Sequence, residues 1–123
     1  MGRTYLSINY GGAKHASDKV VQHNGGGTVI INSFYVEDFG KLYRSCGNCS
    51  SQTKRVVQIN DVWAKSGKLL AGINSNYGDT ATIRTTKAQS VTAICQVFTG
   101  NSSGNEPKAV SYTHLTLPTI LRV

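Results

Sequence analysis

The sequence predicts an all-β fold, a right-handed parallel β-helix in which short strands stack coil on coil. Three observations predict it. Asp18-Lys-Val-Val21, Gly40-Lys-Leu-Tyr43, Gly67-Lys-Leu-Leu70 and Gln89-Ser-Val-Thr92 overlay as a weak repeat, at intervals of 22, 27 and 22 residues. Short β-prone runs recur at matching offsets: Thr28-Val-Ile-Ile31, Arg55-Val-Val-Gln-Ile59 and Thr80-Ala-Thr-Ile83. A helical apolar period is sustained nowhere. A repeat in the twenties with several short strands per unit argues for a solenoid, because one coil cannot bury its own face and stacked coils share a core. Leucine-rich repeats have a similar period, but their Leu spacing is absent. A β-sandwich with strands at similar spacing is the alternative.

Taken in order, Met1-Gly-Arg-Thr-Tyr-Leu6 has no apolar core of a secretory signal, and Leu6 stands where myristoylation wants Ser or Thr. The solenoid is expected over roughly residues 8–107. Gly25-Gly-Gly27 reads as a turn, since a phosphate loop would want a following Lys-Ser or Lys-Thr and a helix. Residues 45–54 and 74–79 are polar and should bulge from the coils as loops. Asn74 and Asn76 are expected to cap turns or form an asparagine ladder, and Phe34, Phe39 and Trp63 to pack in or on the coil. Residues 109–123, Ala-Val-Ser-Tyr-Thr-His-Leu-Thr-Leu-Pro-Thr-Ile-Leu-Arg-Val, look like a translated sequencing adapter and are set apart as a non-native tail. The alternative is an edge strand with a helix-breaking Pro118. The division is therefore a β-helix domain over 1–108 and a tail over 109–123.

The chain has 13 Lys and Arg against 6 Asp and Glu, a net charge of +7 across 123 residues. One domain fits this length. The charge suits a polyanionic partner. Lys and Arg are scattered, with no basic run and no nucleic-acid-binding motif, so a polyuronate with one carboxylate per sugar suits the charge as well as nucleic acid does. No apolar run is long enough to span a membrane. The cysteines are Cys46, Cys49 and Cys95. A zinc site would need four ligands at suitable spacing. A redox Cys-x-x-Cys would open a helix, which the polar run after Cys49 does not resemble. His15 and His23 have no metal-spaced partner and read as polar coil residues.

The densest signal is Phe34-Tyr-Val-Glu-Asp-Phe-Gly-Lys-Leu-Tyr-Arg-Ser-Cys-Gly-Asn-Cys49, which sets Lys41 and Arg44 beside a Cys-x-x-Cys loop. With His15-Ala-Ser-Asp-Lys-Val-Val-Gln-His-Asn-Gly25 before it and Leu70-Ala-Gly-Ile-Asn-Ser-Asn-Tyr-Gly-Asp79 after it, the chain resembles the secreted class III pectate lyases of microbes that attack plant cell walls. The resemblance covers roughly residues 11–107. It implies a parallel β-helix that acts outside the cell as a monomer on pectate, with calcium as cofactor and with neither nucleic acid nor membrane as partner. It implies further coils before Gly11-Gly-Ala-Lys14, bearing a calcium-binding acidic cluster, a cysteine and a catalytic lysine. Little or no turnover is then expected of this chain by itself. In the extracellular setting, Cys46 and Cys49 are expected to bridge locally, leaving Cys95 without a partner.

The reaction so implied is a β-elimination. A base removes the C5 proton of a galacturonate ring and the C4 glycosidic oxygen leaves. The adjacent carboxylate resists further negative charge, so cations must neutralise it as charge develops. Asp18-Lys19 matches the Asp-Lys pair of the family site, with Asp18 near calcium, and Arg44 matches the arginine of its Tyr-Arg-Ser-Cys motif. The expected roles are Lys19 and Arg44 in catalysis, Lys41 and Arg55 in substrate binding and Asp18 at the metal. Lys19 is preferred to Arg44 as base, since an arginine gives up its proton only when strongly perturbed. By the repeat, Lys19 and Lys41 sit on adjacent coils about 4.8 Å apart, where mutual repulsion loosens an ammonium proton. Tyr43 and Tyr77 are the expected sugar-facing rings. A non-catalytic polyuronate-binding solenoid and a small nucleic-acid-binding β protein are the other readings.

Overall fold

The computed structural model describes residues 5–113 and 121–122. It is built almost wholly of strand. β1 (Tyr5–His23), β2 (Gly27–Ser45) and β3 (Arg55–Asn74) follow one another, then a single 3-10 turn (Ser75–Tyr77), β4 (Thr80–Arg84), β5 (Lys87–Thr99), β6 (Lys108–Thr113) and β7 (Leu121–Arg122). β1, β2 and β3 pair in parallel, each along nearly its full length. β4 and β5 pair in turn with the first and second halves of β3, so together they make the fourth coil. This is a parallel β-helix.

Strands of 19 and 20 residues could not run straight in so small a molecule. Each bends twice, at non-glycine residues with left-handed backbone. One corner stacks Tyr10, Ser33, Asp61 and Thr85, and the other stacks His15, Asp38, Ser66 and Ser90. Asp and His are among the non-glycine residues that tolerate that conformation, and His15, Asp38 and Asp61 hold three of these eight positions. Beside the first corner runs an asparagine ladder. Asn60 donates to Asn32 at 2.9 Å and Asn32 to Asn9 at 2.9 Å. Asn74 and Asn76, for which a turn cap or a ladder was expected, instead tie neighbouring segments together: Asn74 Nδ2 donates to the Cys46 carbonyl and Asn76 Nδ2 to that of Gly100.

The core is a set of columns threaded through the coils. Val29, Val57 and Ala81 are in register, as are Ile31, Ile59 and Ile83, and all are buried. Each Val or Ile withdrawn from water contributes about 1.5–3 kcal/mol. Phe34 and Phe39 are buried as expected, whereas Trp63 is partly exposed.

Two details differ from the sequence reading. The repeat placed Lys68 over Lys41, but the partner of Lys41 is Leu69. Coils differ in length, and a slip of one residue exchanges the faces of a strand, so a weak repeat aligns coils better than it aligns side chains. Of the segment set apart as a tail, residues 109–113 belong to β6, which begins at Lys108 and lies antiparallel on β5, and Leu121–Arg122 lies antiparallel on β4. Both cover the edge of the last coil. Residues 114–120 and 123 lie outside the described residues.

Candidate active site

The outer face of β1, β2, β3 and β5 carries a cleft of about 290 Å³, lined by Lys19, Gln22, Lys41, Arg44, Gln96 and Phe98, with Gly47, Asn48, Glu106 and Pro107 from the loops above. Register brings the cations together. Lys19 pairs with Lys41, and Gln22, Arg44, Gly72 and Gln96 form the neighbouring column. Lys41 and Arg44 differ by an odd number of residues, so strict alternation would send them to opposite faces. Leu42 and Tyr43 are both buried between them. Two consecutive inward residues break the alternation and return Arg44 to the outer face.

Arg44 is 4% exposed and is held on three sides. Nη1 donates to the Ser45 carbonyl and, at 3.2 Å, to Asn74 Oδ1. The guanidinium lies 4.0 Å over the Phe98 ring, a favourable stack for a planar cation. Gly72 makes the position possible, since a Cβ there would stand 2.8 Å from Arg44 Cδ. Burial lowers the Arg44 pKa to about 10, with Asp79 and Tyr43 opposing the shift.

Lys41 also loses affinity for its proton. Burial is the main cause, Asp18 opposes it, and Lys19, Arg44 and Lys68 add to it. The repulsion expected between stacked lysines is therefore present but is second to desolvation. Lys19 Nζ donates to Asp18 Oδ2 at 2.9 Å. That hydrogen bond holds the Asp18 carboxyl below the usual carboxylate range. Asp18 itself is exposed and does not line the cleft.

Arg55 is placed elsewhere. It was expected to bind substrate, but it is fully buried. Nε donates to the Gly25 carbonyl, Nη2 to that of Asn24, and Nη1 to Gln52 Oε1 and the Cys46 carbonyl. Its charge is used to hold two loops together, and no face of it meets the cleft. Tyr43, expected to face sugar, is likewise fully buried. Its hydroxyl meets His23 Nδ1 at 2.6 Å and Ser45 Oγ at 2.9 Å. Burial raises the Tyr43 pKa above the ordinary phenol range. Cys46 and Cys49 form a disulfide, and Cys95 is a buried thiol whose pKa burial raises to about 12.

The described residues do not by themselves fit a calcium ion. Among them no three of His, Cys, Asp and Glu are close enough to hold a metal, whereas calcium takes six to eight oxygens. Asp18 is one carboxylate, already paired with Lys19. Gln22, Gln96, Phe98 and Glu106 went unrecognised in the sequence. The two glutamines were readable once the register was right, as partners of Arg44 in its column. Phe98 and Glu106 approach Arg44 from later segments and leave no local signal.

Residues 1–105 match the family model described as pectate lyase. The chain belongs to the pectate lyase family. It is 62% identical over 109 residues to probable pectate lyase E of Aspergillus clavatus, covering 88% of this chain and 42% of that protein. To pectate lyase E of Emericella nidulans it is 59% identical over 102 residues, covering 82% of this chain and 40% of the relative. The chain thus spans about two fifths of the length of the curated relatives it matches. Among solved structures, the catalytic domain of pectate lyase PelI from Erwinia chrysanthemi superposes with a TM-score of 0.82 at 30% identity, over 91% of this chain and 57% of that catalytic domain. Among the described residues no helix is long and apolar enough to cross a membrane.

Proposed function

We propose that this chain carries the substrate cleft of a class III pectate lyase, an enzyme that acts outside the cell, as a monomer, on pectate. The observation that carries this reading is the convergence of Lys19, Lys41 and Arg44, from two adjacent coils, on one cleft. A galacturonate carboxylate seated there meets Arg44 and Lys41. Arg44 is oriented before substrate arrives by Phe98, Asn74 and the Ser45 carbonyl, so its charge is in place as the C5 carbanion forms. Lys19 in its neutral form takes the C5 proton. The electron pair of the C5–H bond becomes the C4–C5 double bond, the C4–O bond breaks, and the leaving oxygen is protonated from the lysine or from water. Calcium dependence belongs to the same reading, with Asp18 as one ligand.

A second assignment of the base has its own support. Lys41 is the cleft lysine whose hold on its proton is weakened, by burial first and then by its cationic neighbours, the direction a general base requires. Variants in a full-length lyase carrying these coils separate the two. With Lys19 as base, Lys19→Ala abolishes formation of the unsaturated, ultraviolet-absorbing product at saturating polygalacturonate, while Lys41→Ala chiefly raises KM. The reverse pattern transfers the role to Lys41. For the chain alone, retention on immobilised pectate that is released by salt and lost in Lys41→Ala and Arg44→Ala is the expected result; unchanged retention in both variants would sink the cleft assignment.

A further inference from the structure

A cavity of about 510 Å³ opens on another side of the solenoid, between the two stacked corners. Ser33, Asp61 and Thr85 of the first corner form its rim, and Tyr35, Trp63 and Lys87 stand beside them. It shares no lining residue with the cleft. Register builds it, since Tyr35 pairs with Trp63 and Trp63 with Lys87 on successive coils. Phe34 and Val36 are buried on either side of Tyr35, and Val62 and Ala64 on either side of Trp63. Alternation therefore turns both rings outward, from strands about 4.8 Å apart. The next position in the column is Gly12, which adds no side chain. The Tyr35 hydroxyl is fixed by donating to Glu37, and Asp61 Oδ2 is fixed by accepting from Ser33 at 2.8 Å. Trp63 is 38% exposed, although tryptophan is highly buried on average.

We propose that this cavity is a second saccharide site, which takes a neutral polysaccharide laid across Tyr35 and Trp63. It goes beyond the pectate reading and does not depend on it. A pyranose whose ring substituents are equatorial presents axial C–H bonds on its faces, and these suit the electron-rich face of an aromatic ring. Asp61, Ser33, Thr85 and Lys87 surround the rings with acceptors and donors for sugar hydroxyls. An apolar surface with a few fixed polar groups is how ligand pockets combine affinity with orientation. Charge selects a neutral chain. The lining holds one acid, Asp61, and one base, Lys87, whereas the cleft sets Lys19, Lys41 and Arg44 against Glu106 alone. Two aromatic side chains also fall far short of the roughly 800 Å² that each partner of a stable protein complex buries, which favours a saccharide over a second copy of the chain.

Trp63 is the only tryptophan of the chain, so its emission reports directly on this cavity. Glucan and xylan both carry the chemistry, and cellohexaose and xylohexaose are the probes. At least one of them is expected to give a saturable change in Trp63 emission, and the one that responds names the source. By titration calorimetry its affinity should fall about tenfold or more in Trp63→Ala, the scale of losing a tryptophan anchor. It should fall less in Tyr35→Ala and stay unchanged in Lys41→Ala. Retention on immobilised pectate should be kept in Trp63→Ala. No emission change with either oligosaccharide would overturn the site, as would an affinity unaltered in Trp63→Ala. Equal losses in Lys41→Ala and Trp63→Ala would move the neutral sugar into the cleft and overturn it as well. Hexagalacturonate changing Trp63 emission as effectively as the neutral probes would overturn the choice of a neutral chain.

Discussion

Arg44 and Arg55 lie on the same stretch of chain and are both almost wholly withdrawn from solvent, yet they belong to different kinds of environment. Arg55 spends its guanidinium on the carbonyls of Asn24, Gly25 and Cys46 and on Gln52. Arg44, among the described residues, engages through Nη1 alone and lies flat on Phe98, with its remaining edge lining the cleft. Burial does not distinguish an arginine that builds from one that binds. The distinction lies in how many of its donors the protein itself consumes. A residue whose five N–H groups are largely spoken for by main-chain carbonyls has little left for a ligand.

Removing Arg55 gives the largest expected effect. Arg55→Met takes the charged donor away from the carbonyls of residues 24 and 25 and from Gln52 Oε1 and leaves a gap in a fully buried position, so the stability of the chain in urea unfolding should fall by about 3 kcal/mol or more, whatever the pectate concentration. A loss below about 1 kcal/mol would mean that water replaces the guanidinium and that the comparison is misdrawn. Arg44→Lys should do the opposite. It keeps the charge but loses the fork and the stack, so stability should change by only about 1 kcal/mol. Turnover by a full-length lyase should fall about 10²–10³-fold, as for loss of one preorganised donor. A stability loss as large as that of Arg55→Met, with kcat preserved, would make Arg44 a structural residue as well.

The smallest effect concerns pH and sharpens the Arg55 corner. His23 Nε2 donates to the Gly26 carbonyl and Nδ1 accepts from the Tyr43 hydroxyl, the pattern of a neutral imidazole. Burial, with a contribution from Arg55, lowers its pKa. The unfolded chain then takes up the proton first. His23 has no effect above the ordinary histidine value of about 6.5, and stability is lost as pH falls from there through the lower folded value. Unfolding midpoints measured from neutral to mildly acidic pH should drop less steeply in His23→Gln than in the wild type. Parallel curves would show that the imidazole protonates without strain.

The solenoid was legible in the sequence because its cause is periodic. Thr28, Arg55 and Thr80 open β-branched runs that sit almost in register, and burial of Val29, Val57 and Ala81 enforces the stack. Lys19 over Lys41 followed from the same repeat. Lys68 did not, because β3 pairs with β2 at a constant offset of 28 residues from Gly27–Arg55 to Arg44–Gly72, whereas the Gly-Lys-Leu motif recurs after 27. Arg55 was misread since a basic residue at a strand start carries no sign of the carbonyls that will surround it. Those carbonyls come from loops about 9 to 31 residues away in the chain. The break in alternation at Leu42-Tyr43, which turns Arg44 outward, depends on a hydrogen-bonded partner for the tyrosine hydroxyl that only the fold supplies.

The unequal coils have a consequence for how such a protein can vary. From Tyr5 to its partner Thr28 is 23 residues, from Thr28 to Val56 is 28, and from Val56 to Thr80 is 24. The extra length of the second coil is taken up between β2 and β3, in the segment that carries the disulfide and roofs the cleft. The stacked corners fix where each strand must begin and end but place no limit on what is inserted between them. The roof of the cleft can therefore change in length without asking any core column to move, so one wall of the cleft can vary while the strands that carry Lys19, Lys41 and Arg44 stay as they are.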